Sequence, residues 1–287
     1  MRSSLGLIAA AVTLAATTAQ AADMPAAPPI CVTRDQAHMW PGVPLCVEEF
    51  SAWYLRGDIG MTNQRIKRLD NLLLTPAFAD SVQHVNLEFD SSMLFGLGFG
   101  YRFNNWLRFD VTGEYRGRSD LTGLDIVTSG GVTQTDDYRA KKSEWLFLAN
   151  AYLDLGTWWC VTPFVGAGIG GSRVTISSFT DLNINAPGGS VSFGATDSKW
   201  NLAWALHAGL AYQASKNLAI ELAYRYTHLG DGIAGDAITY TGTNDFNNPT
   251  TFKSISSHDL KLGVRWTCCD VEPPPPVYAP PPVMRKG

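Results

Sequence analysis

Hydrophobic and polar residues alternate along the chain with a period of two, most regularly between Met93 and Arg116. Large apolar side chains occupy most odd positions of this stretch, whereas the even positions carry mainly glycine and charge. Because successive side chains of a β-strand point to opposite faces, the stretch predicts two strands around a turn at Asn104-Asn105. Each strand has about 11 residues, which at roughly 3.3 Å per residue and a tilt near 45° spans about 25 Å. That length matches the apolar height of a sheet that crosses a membrane.

The alternation recurs along the chain and predicts eight strands, at about 50–61, 93–103, 107–116, 142–154, 161–175, 200–213, 218–228 and 257–266. Long polar segments follow the odd-numbered strands and short turns follow the even-numbered ones. An even strand number with this alternation of connections is typical of bacterial outer-membrane barrels. Closure also satisfies every backbone hydrogen-bonding group, which hydrocarbon requires. The predicted fold is all-β: an eight-stranded antiparallel up-and-down transmembrane β-barrel with both chain ends in the periplasm.

Aromatic residues lie near both ends of the predicted strands, with Trp53, Trp106 and Trp158 at one end and Tyr115 and Trp200 at the other. Amphipathic rings collect at the two interfaces of a membrane. The alternative is a soluble barrel of the lipocalin type, which has no need of two aromatic girdles. The aromatic positions therefore favour a protein surrounded by lipid.

Composition and the chain ends define the compartment and the domains. The 287 residues carry a net charge of −4, which gives no indication of a nucleic-acid partner. Arg2, the apolar run 5–16 and Ala19-Gln20-Ala21 predict a secretory signal peptide over residues 1–21. We then expect a periplasmic N-terminal extension at 22–49, the barrel at 50–266 and a Pro-rich periplasmic tail at 267–287. The expected location is the outer membrane, and no cofactor is predicted.

The charged face of the predicted strands is the most informative candidate site. A bare charge in a narrow interior is unfavourable, whereas a paired and hydrogen-bonded charge is tolerated. An eight-stranded interior is about wide enough only for side chains, so we expect ion pairs that fill it rigidly. A slender ion-conducting path with rearranging pairs is the alternative. The predicted network comprises Arg56, Asp58, Arg102, Arg108, Asp110, Glu114, Glu221, Arg225, Asp259, Lys261 and Arg265.

Other motifs give weaker indications of chemistry. Residues 166–171 fit G-x-G-x-x-G, but no helix pattern follows, so small residues that relieve crowding explain them better than a dinucleotide site. The histidines lack metal-ligand spacing, and no metal site is predicted. His207 is expected to fill the interior, and no acid–base–nucleophile set accompanies His84 or His228, so no enzyme is predicted. The basic run 65–68 in the first long connection is predicted to be solvated.

All five cysteines fall on the predicted periplasmic side, an oxidising compartment in which disulfides persist. We expect Cys31 to pair with Cys46, and Cys160 to pair with Cys268 or Cys269. The odd number leaves one thiol over, either free or intermolecular.

Several stretches resemble the small outer-membrane β-barrel family of α-proteobacteria, the opacity-type and Omp25/Omp31-like proteins related in architecture to the OmpA transmembrane domain. The resemblance covers about residues 50–266 and rests on residues 53–60, 99–102 and 260–266. It implies that Trp266 is read by the barrel-assembly machinery, although a tail follows Trp266 in this chain. It also implies that Ala22, in a mature Ala-Asp terminus, is joined to peptidoglycan.

The predicted function is therefore structural: an outer-membrane barrel that supports envelope integrity and displays surface loops. Its expected partners are outer-membrane lipid and lipopolysaccharide, the barrel-assembly machinery and peptidoglycan, with no nucleic acid. The alternatives are a low-conductance porin for ions or small solutes and an adhesin that binds host surfaces through its loops.

Overall fold

A computed structural model describes residues 31–32, 46–47, 52–71, 74–77, 79–184, 189–215, 217–242 and 247–268. The predicted signal peptide, Ala22, Cys269 and nearly all of the Pro-rich tail lie outside the described residues. The chain divides into two compact units, one of residues 1–48 with 273–287 and one of residues 49–272. Among the described residues, none belongs to a helix with the length and hydropathy needed to cross a membrane.

The described residues contain short and long β-strands. In the first unit, β1 and β2 form a parallel two-residue pair in which Cys31 is opposite Cys46. The other strands belong to one twelve-stranded sheet. The bounds are β1 (Cys31–Val32), β2 (Cys46–Val47), β3 (Ala52–Arg65), β4 (Arg68–Asp70), β5 (Ser81–Phe89), β6 (Ser92–Arg102), β7 (Leu107–Ser129), β8 (Val132–Asp154), β9 (Val161–Asn183), β10 (Ser190–Gly194), β11 (Asp197–Gln213), β12 (Leu218–Ala234), β13 (Ala237–Thr239) and β14 (Thr250–Cys268).

The long strands of the second unit pair in a closed cycle. The order is β11-β12-β14-β3-β6-β7-β8-β9, and β9 also pairs with β11, so the ladders return to their start. All of these ladders are antiparallel. The short strands β4, β5, β10 and β13 attach to this ring at the end opposite the short turns. The all-β antiparallel prediction is confirmed.

The two faces of the ring are opposite in character to those of a soluble sheet. Leu97 is 76% exposed and Leu202 is 70% exposed, both on the outer face. On the inner face, the side chains of Arg108 and Arg225 are fully buried. We name the outward-facing apolar residues of the ring, from Leu55 to Met61 on β3 and their equivalents on the neighbouring strands, the apolar belt.

The strands continue well past the predicted boundaries, because much of each long polar connection is also strand. Strands β7, β8 and β9 have 23 residues each, where the alternation predicted about 10 to 15. The prediction that residues 117–141 and 176–199 connect strands is therefore wrong for most of those residues. We call the part of the sheet above the apolar belt the outer extension.

Bulges mark the junction between the belt and the outer extension. The β7 register shifts between Arg116 and Ser119, and the backbone is left-handed at Ser178 on β9, Gly230 on β12 and Ser254 on β14. An extra residue in one strand exchanges the two faces of the strand beyond it. The positions that face the interior therefore change parity at this level.

The interior of the outer extension is mainly apolar next to the belt, whereas the interior within the belt is mainly charged. Leu121, Val174, Ile176, Phe252 and Ile255 are buried together there, and Phe179 stacks near Tyr138 with ring centroids 6.4 Å apart. Thus apolar side chains point inward above the belt, as in a soluble protein. Each long strand therefore buries mainly charged residues within the belt and mainly apolar residues above it, and the bulges lie near this change.

Candidate functional site

One continuous network of ion pairs fills the ring within the belt. It joins seven basic and seven acidic side chains, so the network as a whole is neutral. No member is more than 8% exposed. The members are Arg56, Arg108, Arg116, Lys142, Arg225, Lys261 and Arg265 with Asp58, Asp110, Glu114, Glu144, Asp154, Glu221 and Asp259.

Glu114 is the acceptor at the centre of the network. Its two carboxylate oxygens accept from Arg225 Nη1 at 2.7 Å and Arg225 Nη2 at 2.6 Å. Lys261 Nζ donates to Glu114 at 2.6 Å and lies 3.3 Å from Asp58. This arrangement is bidentate and charge-assisted, which is the strongest class of protein hydrogen bond. These four residues come from β3, β7, β12 and β14, so the centre ties opposite walls of the ring together.

A second centre lies nearer the short-turn end. Glu221 lies 3.1 Å from Arg108 Nη1, 3.0 Å from Arg265 Nε and 3.4 Å from Arg56 Nη2. Arg108 also reaches Asp154 at 3.1 Å. The guanidinium of Arg108 stacks over the ring of Tyr152, 4.4 Å from its centroid. The cations are therefore held both by carboxylates and by an aromatic face.

The network ends beneath the apolar cluster of the outer extension. There Arg116 donates to Asp259 at 2.7 Å and to Ser257 at 2.8 Å. Lys142 contacts Glu144, and Glu144 lies 3.8 Å from Arg116. Above these residues the interior is filled by apolar side chains. Two layers therefore fill the interior of the ring: the ion-pair network within the belt and the apolar cluster above it.

The structure brings together ten of the eleven interior residues predicted from sequence. Arg102 is the exception: it is half-buried at the short-turn end and makes no ion pair within the part of the chain that the structure describes. Sequence reasoning missed Arg116, Lys142, Glu144 and Asp154. Strand parity could have found them, because Arg116 shares its parity with Glu114, and the other three share theirs on β8.

Glycines facing the interior make room for this network. A Cβ on Gly96 would come within 2.8 Å of the Glu114 side chain, and one on Gly98 within 2.8 Å of Thr112 Cγ2. In the G-x-G-x-x-G stretch, a Cβ on Gly166 would meet the ring of Tyr152. The stretch lies within strand β9, not between a strand and a helix. The relief of crowding thus explains the glycines.

The remaining candidate residues are dispersed. His207 is buried in the interior, 3.2 Å from Asn150 Oδ1. Trp266 is half-exposed in the belt, and its strand continues to Cys268. Cys160 is exposed at the short-turn end, and its predicted pairing with Cys268 or Cys269 stays a prediction. The side chains of Cys31 and Cys46, together with Cys269 and Ala22, lie outside what the structure describes.

Carboxylates on β7, β8 and β9 face one another at the end of the outer extension farthest from the belt, which we call its mouth. Asp125 lies opposite Asp136 on the neighbouring strand, and Asp136 lies opposite Asn183. Burial, reinforced by Asp136 and Asp125, raises the pKa of Asp181 to about 7. Burial and Asp125 raise the pKa of Asp136 to about 6. His84, opposite Asp125, lies 2.7 Å from it, an acid–base contact that sequence spacing did not reveal.

Comparison with known proteins shows which family the chain belongs to. A profile of the outer membrane protein beta-barrel domain matches residues 7–267. The chain belongs to this family of outer-membrane β-barrel proteins. Family membership places it in the outer membrane, in agreement with the predicted location.

Individual relatives and a solved structure are similar to parts of the chain. An uncharacterized protein of Brucella suis biovar 1 is 32% identical over 208 residues, covering 67% of this chain and 72% of the relative. A Rickettsia prowazekii protein named as a candidate adhesin, RP828, is 25% identical and covers 77% of this chain and 89% of its own. The crystal structure of OprG from Pseudomonas aeruginosa matches 76% of this chain and 95% of its own, at 15% identity and a TM-score of 0.44.

Proposed function

We propose that the closed ring is an eight-stranded transmembrane barrel that does not conduct and that serves as a structural anchor for its outer extension. The observation that carries the proposal is the water-excluded, charge-balanced interior. A water-filled lumen would leave its charged lining accessible, yet Arg108, Arg116 and Arg225 are fully buried. The apolar layer above adds a second barrier, since ions do not cross apolar interiors readily.

Orientation follows from the connections in this proposal. The short connections at 103–106, 155–160 and 214–217 lie at one end of the ring, together with the start of β3 and the end of β14. Short turns are periplasmic and long ones are outside in bacterial barrels. The signal peptide would deliver the chain, and both termini would remain in the periplasm. The outer extension then projects from the cell.

Planar-bilayer recording tests whether the barrel conducts. Purified monomeric protein is added to one side of a lipid bilayer, with a general porin as the positive control and empty detergent as the blank. The proposal predicts no regular conductance steps from the monomer. Reproducible steps that scale with protein concentration would favour the alternative of a low-conductance pore.

Attachment to the cell wall would complete the structural role. We propose that Ala22, exposed by removal of residues 1–21, is joined to peptidoglycan. The proposal rests on the mature Ala-Asp terminus and the resemblance of the chain to α-proteobacterial barrels. Mass spectrometry of muropeptides should find an adduct that begins at Ala22. Muropeptides that carry no such adduct, from cells that make the protein, would exclude the tether.

An adhesive role for the outer extension is the second candidate function. Its edge strands β10 and β13 expose Phe193 at 50% and Ile238 at 44%, and Tyr240, directly after β13, is 84% exposed. Exposed apolar groups beyond the lipid region are typical of interaction surfaces, and one relative carries an adhesin name. Replacing Phe193, Ile238 and Tyr240 by serine should abolish attachment of expressing cells to cultured host cells. The triple variant must still migrate as folded protein on unheated gels, and unchanged attachment would argue against this role.

A further inference from the structure

A cavity of about 390 Å³ opens on the outer surface of the ring where β3, β12 and β14 meet. Its polar lining combines two strong bases, an imidazole and three hydroxyl groups: Arg65, Lys67, His228, Tyr226, Ser254 and Ser256. The site uses the basic run 65–68 that the sequence predicted to be merely solvated. We call it the basic cavity.

Breaks in the strand ladders form the basic cavity. Strand β3 ends at Arg65 and β4 begins at Arg68, so the wall opens between them. On the facing strand, Ser254 has a left-handed backbone with φ of 52°. Lys67 remains tethered through its backbone N–H, which donates to Lys253 O at 3.2 Å. The bulges therefore hold the basic side chains beside a recess instead of along a flat ladder.

The two strong bases of the cavity lack acidic partners, although their neighbours have them. Arg68 pairs with Asp70 at 2.6 Å, and Lys253 pairs with Asp231 at 3.3 Å. Among the described residues, no carboxylate lies within ion-pair distance of Arg65 or Lys67. The basic cavity therefore carries uncompensated positive charge.

The basic cavity lies directly above the apolar belt. On β3, Met61 is the last apolar side chain of the belt before Asn63 and Arg65. On β14, Leu260 is followed outward by His258 and Ser256. An aromatic group underlies the cavity: Tyr224 bonds His258 at 2.6 Å, and the rings of Trp204 and Tyr226 lie 5.5 Å apart. Aromatic side chains of this kind mark the level of the lipid headgroups.

We propose that the basic cavity binds a phosphate group on the headgroup of a phosphorylated glycolipid in the outer leaflet. The proposal rests on the membrane orientation given under the proposed function. Guanidinium and ammonium groups donate to phosphate oxygens in short, charge-assisted bonds, and the hydroxyls of Ser254 and Ser256 supply further donors. The acyl chains of such a lipid would then descend along the apolar belt beneath the cavity.

Lipid binding to the folded protein in detergent micelles tests the proposal, with native mass spectrometry as the readout. The probes are lipid A with its phosphates, the same lipid after dephosphorylation, and inorganic phosphate. The test variant is Arg65→Gln with Lys67→Gln. The matched control is Arg118→Gln with Lys141→Gln, which removes two exposed bases from β7 and β8 on the outer surface away from the cavity.

The wild-type protein and the control should bind phosphorylated lipid A at least about tenfold more tightly than the dephosphorylated lipid, since bonds to charged groups are stronger than neutral ones. The R65Q/K67Q variant should lose that preference. Equal loss in the control variant, or no loss in R65Q/K67Q, would overturn the site. If millimolar inorganic phosphate displaces all of the bound lipid A, the cavity is a site for free phosphate and not for a lipid headgroup. Each variant is also inserted into lipid vesicles. If the wild-type protein inserts but shows no lipid preference, the binding site has failed; if the wild-type protein does not insert, the proposed transmembrane barrel has failed.

Discussion

Neutralising Glu114 should destabilise the protein more than any comparable change at the surface. Glutamine keeps the shape of the side chain but removes the charge that faces Arg225 and Lys261. Glu114 is 1% exposed, so water cannot replace the lost interaction. Breaking a buried ion pair by removing one partner costs about 3–5 kcal/mol. This corresponds to a shift in the unfolding equilibrium of roughly 100-fold to several thousand-fold.

Urea unfolding from lipid vesicles measures this loss. Tryptophan fluorescence follows the tertiary structure, and the mobility of unheated protein on gels reports the folded fraction. The matched control is Glu88→Gln, because Glu88 is an exposed residue of β5 and surface changes alter stability by less than about 0.5 kcal/mol. Equal midpoints for Glu114→Gln and Glu88→Gln would refute the claim that the interior charges are paired and dry.

A double variant separates charge balance from general disruption. Lys261→Met combined with Glu114→Gln returns the network to neutrality, because one base and one acid are removed together. The two sites are in contact, so their effects should be non-additive by about 0.5–3 kcal/mol. The double variant should therefore lose less stability than the two single losses added together. Strict additivity would show that Glu114 and Lys261 act independently.

Three further predictions concern the mouth, the crowded interior and assembly. Because the pKa of Asp181 is raised to about 7 in the fold, the folded protein holds this proton more tightly than the unfolded chain, so the outer extension should be more stable at pH 5 than at pH 8. Hydrogen exchange at both pH values should show this, and Asp181→Asn should flatten the dependence. Gly166→Ala forces a methyl group against Tyr152, which should lower the free energy of unfolding by about 1–3 kcal/mol. The control is Gly171→Ala on the same strand, because its methyl group would lie 3.7 Å from the nearest atom and so reports the backbone effect alone. Trp266→Ala should reduce the amount of assembled protein in cells without preventing refolding in detergent; equal assembly would exclude an assembly signal at Trp266.

The belt-level part of the fold could be predicted because hydrocarbon imposes a simple rule on each strand. Apolar side chains must face the lipid at every second position, and Leu97, Phe109 and Leu222 follow that rule. Ion pairing inside the ring follows from the same rule. Charged residues such as Arg225 and Glu114 cannot face the lipid, and inside the ring only a partner of opposite charge can stabilise them. The sequence pattern therefore predicted both faces.

The outer extension could not be predicted from the same pattern because its polarity is opposite. On β7, Glu114 and Arg116 face the interior, but beyond the bulge the interior residue is Leu121. The parity of the inward-facing positions and the polarity of the two faces both change within a few residues. The sequence beyond the bulge therefore has no apolar outer face and resembles a polar loop. Bulges have no simple sequence signature at Ser178 or Ser254.

The alternation of apolar and polar residues also could not predict contacts between site residues that are far apart in sequence. The contact between His84 and Asp125 joins residues 41 positions apart on β5 and β7. The basic cavity combines β3, β12 and β14, and its shape depends on where β3 breaks. Alternation shows which face a side chain occupies, but not how far each ladder continues before it bulges.

Collision accessibility of spin labels tests most directly whether lipid surrounds the ring. Nitroxides are attached singly at positions 97, 109 and 222, and at position 118 as a control above the belt, in protein whose native cysteines are replaced by serine. The account predicts that lipid-soluble oxygen broadens the signals at Leu97, Phe109 and Leu222 more than a water-soluble nickel complex does, and that the order reverses at Arg118. Greater access of the nickel complex at Leu97 and Leu222, in protein reconstituted into vesicles, would contradict it.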